Sequence, residues 1–240
     1  RVGKFKAAVE PYIETHMSEA NREQVQTYLG SLWGNIVKGI SASRNIPVEK
    51  INQITDDFKI YPVEEFVKEG FFDGALYEYA MLDKLREACG LTENEKLSLT
   101  SFEDYTKVTF PTVNFAAEKI AVIYAQGNIE FQQGPESIGP ELATTIRKAR
   151  EDKNIKAIVL RVNSPGGSAL TSDIIWKEVQ LAAQTKPFIA SMGNVAASGG
   201  YYISCAADTI VADPTTLTGS IGIFGLLFSG EELIKDKLGI

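Results

Sequence analysis

Apolar side chains recur at three- and four-residue intervals over residues 18–43, at Val25, Tyr28, Leu29, Leu32, Trp33, Ile36, Val37 and Ile40. This period predicts an amphipathic helix with Ser18 as its N-cap. Pro47 predicts the start of a second helix, with Val48, Ile51 and Ile54 on one face, and Pro62 opens a third that ends near Gly70. A further helix over 75–88 is stopped by Gly90. After the polar stretch 92–104 the pattern changes. Short apolar runs over 119–125, 156–162, 187–192 and 209–212 read as buried strands, and helical spacings over 141–151, 169–184 and 199–207 alternate with them. Strands alternating with helices predict an α/β fold with a mostly parallel sheet, preceded by a mainly helical region.

The run 187–192 leads into Gly193-Asn194-Val195-Ala196-Ala197-Ser198-Gly199-Gly200-Tyr201-Tyr202. A serine between a strand and a helix has an accessible hydroxyl beside the helix's free N–H groups, which favour negative charge. An acyl-transfer nucleophile needs that combination; small residues at this point also serve simply to pack a helix close to a sheet. Strand 156–162 ends in Asn163-Ser164-Pro165-Gly166-Gly167-Ser168, where the glycine pair permits positive φ and close backbone approach. Such a turn can supply a second oxyanion donor or merely enter the next helix. A third glycine-rich segment, Thr218-Gly219-Ser220-Ile221-Gly222, follows strand 209–212.

The chain has one histidine, His16, in the polar and acidic setting Glu14-Thr15-His16-Met17-Ser18-Glu19, where a solvated side chain is expected. The other side chain able to deprotonate a serine is a lysine, provided that burial makes it neutral. Spacing alone does not choose among the lysines.

The segments Leu160 to Gly167, Ser191 to Tyr202 and Thr215 to Gly225, in this order and spacing, resemble the signal peptide peptidase A (protease IV) family of serine proteases, as does the opening Arg1-Val2-Gly3-Lys4-Phe5-Lys6-Ala7-Ala8-Val9-Glu10-Pro11. The resemblance is to the long, two-repeat form of Gram-negative bacteria and implies a ClpP/crotonase-like fold. It implies Ser198 as nucleophile and, from a Tyr-Lys-Ser-Ala-type motif matched by Phe5-Lys6-Ala7-Ala8, Lys6 as base, with Lys4 as fallback. It places Ser220 where the family orients the lysine amine, and Gly199 and the Gly166 turn at the oxyanion hole. Residues 1–95 then correspond to the C-terminal part of a first repeat, 96–118 to a linker and 119–240 to a second, truncated repeat. The implied substrates are cleaved signal peptides and other short hydrophobic peptides, bound extended along a strand edge with residues near 221–228 lining a pocket. A homo-oligomer is implied, held at the bacterial inner membrane by an anchor upstream of this chain, with the active site facing the periplasm. No metal or organic cofactor is required.

Composition adds limits. The 240 residues are 44% hydrophobic and 23% charged, an ordinary globular balance. A net charge of −7 gives no electrostatic support for nucleic-acid binding. Apolar runs fall well short of a membrane span, and a chain opening on Arg1 reads as a piece of a longer protein. Cys89 and Cys205 form no metal motif, and Cys205 is expected to serve helix packing. The charged runs 147–156 and 231–237 read as solvated faces. Two rival readings remain: a crotonase-type acyl-CoA enzyme, which also uses paired N–H groups but has no use for a serine–lysine pair, and a non-catalytic fragment.

Overall fold

A computed structural model describes residues 3–57, 62–92, 94–108, 117–132, 134–225, 227, 229, 230, 235 and 239. Of the run 231–237, therefore, only Lys235 is described, and Phe228 also lies outside the described residues. The chain divides into two compact units: Arg1–Trp33 with Ala116–Ile240, and Gly34–Phe115.

The chain begins with a short helix α1 (Glu10–Ile13) and the long α2 (Glu19–Arg44), which runs from the first unit into the second. Ser18 caps α2 as its sequence position predicts: its Oγ accepts from the Asn21 N–H at 3.2 Å and donates to the Glu10 carboxylate at 2.6 Å. The second unit continues with α3 (Val48–Asp56), α4 (Val63–Lys68), α5 (Glu78–Ala88) and α6 (Phe102–Thr106). Pro47 and Pro62 stand at the N-caps of α3 and α4, where a missing N–H costs nothing. The small core of this unit is Val37, Ile46 and Ile51. Of the apolar stripe along α2 only Val37 is buried; Tyr28, Leu29, Trp33 and Ile36 remain exposed.

The first unit is an α/β fold. Its elements are β1 (Lys119–Gln126), β2 (Asn128–Ile129), β3 (Ser137–Ile138), α7 (Glu141–Glu151), β4 (Ile155–Ser164), α8 (Ala169–Ala183), β5 (Phe188–Ala197), α9 (Gly199–Ser204), β6 (Thr209–Val211) and β7 (Leu217–Gly219). The main sheet has the order β1-β4-β5-β6, with β7 pairing the far end of β5, and every pair is parallel. Side chains alternate across each strand. One face contributes Ile123, Ala125, Ile158, Leu160, Val162, Phe188 and Met192 to a core completed by Ile146 of α7, Ile175 and Val179 of α8 and Ile203 of α9. The opposite face leaves Ile120, Val122, Tyr124, Ile189 and Val211 exposed.

Strands β4 and β5 run further than the apolar runs suggest. The register shifts between Val162 and Ser164, a local irregularity that lets both strands continue to the site. Asn163 Oδ1 accepts from the Val195 N–H at 3.1 Å, and a Cβ on Gly193 would lie 3.0 Å from that oxygen. The segment Gly193-Asn194-Val195, which lies beyond the apolar run 187–192, is thus held extended by a side chain on the neighbouring strand. Helix α9 is shorter than read, ending at Ser204 with Cys205 as C-cap. The run 147–156 is not simply solvated: Arg147 Nε and Nη2 donate to Oε1 of buried Glu178 at 2.8 and 2.6 Å, fastening α7 to α8. Among the described residues, no helix is long and apolar enough to cross a membrane.

Candidate active site

Strand β5 ends at Ala197, and Ser198 takes the N-cap position of α9 with φ 52° and ψ −116°. This is a strained conformation for a residue with a Cβ. Two bonds fix it: the Ser198 N–H donates to Gly219 O of β7 at 2.9 Å, and the Tyr202 N–H donates to Ser198 O at 2.9 Å. Strand β7 is positioned in turn by Thr218 Oγ1, which donates to Ala196 O at 2.7 Å. The Ser198 hydroxyl makes no hydrogen bond among the described residues and lines a cleft of about 990 Å³.

The two glycine pairs let backbone approach backbone. A Cβ on Gly166 would stand 2.5 Å from Gly199 N and 2.9 Å from Ser198 Cβ, and one on Gly200 would stand 2.4 Å from Ser164 O. The turn after β4 therefore presses directly on the nucleophile position. Gly199 N–H opens α9 and has no acceptor among the described residues.

The second donor differs from the sequence-based expectation. Gly166 N–H donates to the buried Ser164 Oγ at 3.1 Å and is thereby occupied. Gly167 forms an isolated parallel bridge with Ile129 in which Ile129 N–H donates to Gly166 O and Ser168 N–H to Ile129 O. In a parallel ladder that pattern turns the N–H of Gly167 itself away from β2, and it has no partner among the described residues. Gly167, not Gly166, offers the free N–H; the direction is set by pairing with β2, which lies far off in sequence.

Ser220, with φ 48°, lines the same cleft, as do Ile221, Ile223 and Phe224. Lys6 reaches this loop from the chain's opening turn: its Nζ donates to Ile221 O at 2.5 Å and lies 3.1 Å from where a Gly222 Cβ would be. Lys4 is engaged elsewhere, with its Nζ 2.9 Å from Glu23 and over the Phe5 ring. The geometry around Lys6 differs from the expected one in two respects. Lys6 hydrogen-bonds neither Ser198 nor Ser220, and it is exposed rather than desolvated. In this conformation the amine is held by the backbone carbonyl of Ile221 and not by the Ser220 hydroxyl.

The cleft's remaining wall comes from α9. Tyr202 OH donates to Asp173 Oδ1 of α8 at 2.7 Å, and its ring lies 5.9 Å from that of Trp176. The hydrogen bond to Asp173 holds the phenol above its ordinary pKa. Cys205 is not buried by helix packing; it is exposed, lines the cleft and directs its Sγ to Tyr202 O at 3.2 Å. His16 is exposed and lies beside Thr15. Among the described residues no three His, Cys, Asp or Glu side chains gather as a metal site. The sequence reading missed the cleft residues of β2 and Glu130, because a two-residue strand has no period to detect.

A scan of family models matches residues 1–92 and 180–240 to Peptidase family S49. The chain is 36% identical to the chloroplastic serine protease SPPA of Arabidopsis thaliana, with all of this chain aligned to 36% of that protein. It is 38% identical to Protease 4 of Haemophilus influenzae (100% of this chain, 41% of that protein) and 39% identical to Protease 4 of Salmonella typhi (98% and 40%). The chain thus spans about two-fifths of the length of these relatives. Among solved structures, it is similar to a 1510-N membrane-bound stomatin-specific protease in complex with a substrate peptide, at 22% identity and TM-score 0.32, over 40% of this chain and 42% of that one. The sequence matches carry the assignment: the family model covers more than half of the chain, including the segment that holds Ser198, and the chain belongs to peptidase family S49.

Proposed function

We propose that the chain carries the catalytic centre of a serine peptidase, with Ser198 as nucleophile, Lys6 as base and the N–H groups of Gly199 and Gly167 as oxyanion donors. The observation that carries this reading is Ser198 itself: a serine at positive φ between β5 and α9, its hydroxyl unpartnered in a cleft beside two free N–H groups. In the proposed reaction neutral Lys6 takes the Ser198 proton as Oγ attacks the scissile carbonyl. The two N–H groups receive the developing oxyanion. Lysine then protonates the leaving amine, the acyl-enzyme forms, and water repeats the sequence with release of the acid. Lys6 must leave the Ile221 carbonyl and lose its water to act as base. A peptide filling the cleft would exclude that water, and Ser220 would then hold the amine.

The apolar wall of Ile221, Ile223 and Phe224 supports short hydrophobic peptides as substrates, cleaved signal peptides among them. The resemblance read from the sequence supports a homo-oligomer held at the bacterial inner membrane by a segment outside this chain, facing the periplasm. The deciding experiment treats the protein with a fluorophosphonate and maps the adduct by mass spectrometry. A single adduct on Ser198, lost in Ser198→Ala, supports the peptidase. Acyl-CoA binding with no adduct would favour the crotonase-type reading instead.

A further inference from the structure

Charge is sparse at the cleft: the Lys6 ammonium reaches its Ile221 loop, and the lining itself carries Glu130. It is the sole charged side chain among the described residues lining the cleft, and it also lines an adjoining hollow of about 440 Å³ formed with Phe131, Gln132 and Ser168. Its carboxylate has no hydrogen-bond or ion-pair partner among the described residues. Its backbone is fixed, because the Glu130 N–H donates to Ile138 O at 2.8 Å. It is the residue after Ile129, which bridges Gly167. At about 3.3 Å per extended residue, that puts it within two or three substrate positions of a carbonyl held at Gly167.

We propose that Glu130 is a specificity-determining residue that recognises a cationic side chain on the substrate, so that the preferred peptides are apolar segments carrying a Lys or Arg close to the scissile bond. This rests on the peptidase reading above. A lone carboxylate bordering apolar walls attracts a cation and repels an acid, and its exposure limits the effect to that of a surface ion pair, about two- to fivefold in kcat/KM. The pair is electrostatic, so the preference shrinks as salt shortens the screening length.

The test uses the protein as it occurs naturally and one apolar peptide, with Lys, Gln or Glu walked through three positions on each side of the cleaved bond. At one position kcat/KM should rank Lys above Gln above Glu by about two- to fivefold per step in low salt. The Lys-to-Gln ratio should fall to about one in Glu130→Gln and invert in Glu130→Lys. The same ranking in wild type and both variants, or no ranking at any position, overturns the proposal. Failure of the peptidase reading is separable: no peptide is then cleaved at all. The same peptides, fluorescently labelled, are in that case measured for binding to Ser198→Ala alone and combined with Glu130→Gln. A Lys preference that disappears in the double variant supports the cation site, and its absence from Ser198→Ala overturns it.

Discussion

Ser198 holds a backbone conformation that glycine would adopt freely, at a cost of about 1–3 kcal/mol. Replacing it by glycine should remove the strain and the hydroxyl together. Ser198→Gly is expected to gain about 1 kcal/mol of stability in denaturant unfolding, net of glycine's extra chain entropy, while peptide hydrolysis falls to background. Unchanged or lower stability would mean that the conformation is not strained. The lysines give a second residue-scale prediction. Lys6→Ala should abolish turnover with little change in melting temperature, and Lys4→Ala, which loses an exposed ion pair with Glu23 and a contact over the Phe5 ring, should retain it. The reverse pattern, read by steady-state kinetics, would reassign the base. Ser198 and Gly199 were legible in the sequence because what singles them out is local: an apolar run, a serine and a glycine pair. The choice between Gly166 and Gly167 was not, because it depends on a hydrogen-bond pattern with Ile129. The resting partner of Lys6 was also hidden, since a backbone carbonyl leaves no mark in a side-chain pattern.

Helix α9 is too short to define a cleft wall alone, and α8 holds it through Tyr202, Asp173 and Trp176. The Tyr202 hydroxyl donates to a carboxylate, so ionising it would place two negative charges together. Its folded pKa therefore lies above the unfolded one. The stability from this contact is fully present below about pH 10 and is lost as pH rises through the raised value. In an ultraviolet phenolate titration, Tyr202 should be among the later of the nine tyrosines to ionise. Asp173→Asn should shift that late component to lower pH, and a titration unchanged by the substitution would show that the pair does not form in solution. Most elements of this unit follow from the apolar pattern, and α7 matches it to the residue, with Pro140 before its first residue and Leu142, Ala143, Ile146 and Ala149 buried along one face. The pattern failed where pairing overrides local preference, as at 193–197, and where an element is shorter than one period, as in β2 and β3.

Over the whole molecule, the α/β character of the first unit was readable, but the partition of the chain was less so: the contacts group Arg1–Trp33 with Ala116–Ile240 although 82 residues intervene by number (34 to 115). The parallel sheet of that unit buries one face and exposes Ile120, Val122 and Tyr124 on the other, although parallel sheets are commonly covered on both. The isolated chain is therefore expected to bind a hydrophobic dye such as anilinonaphthalene sulfonate while folded, and Val122→Lys with Tyr124→Glu should reduce that fluorescence without loss of helical circular dichroism. Equal dye binding in the variant would place the apolar surface elsewhere. The contact between Lys6 and Ile221 spans 215 positions and joins the opening turn to the loop after β7. On the proposed pairing of Lys6 with Ser198, a ribosome delivers the base first and the nucleophile last, separated by roughly 10–40 s at about 5–20 residues per second. Throughout that interval the emerging polypeptide holds an amine with no serine to activate, so nascent chains crowded on one messenger cannot cleave one another before Ser198 has been made.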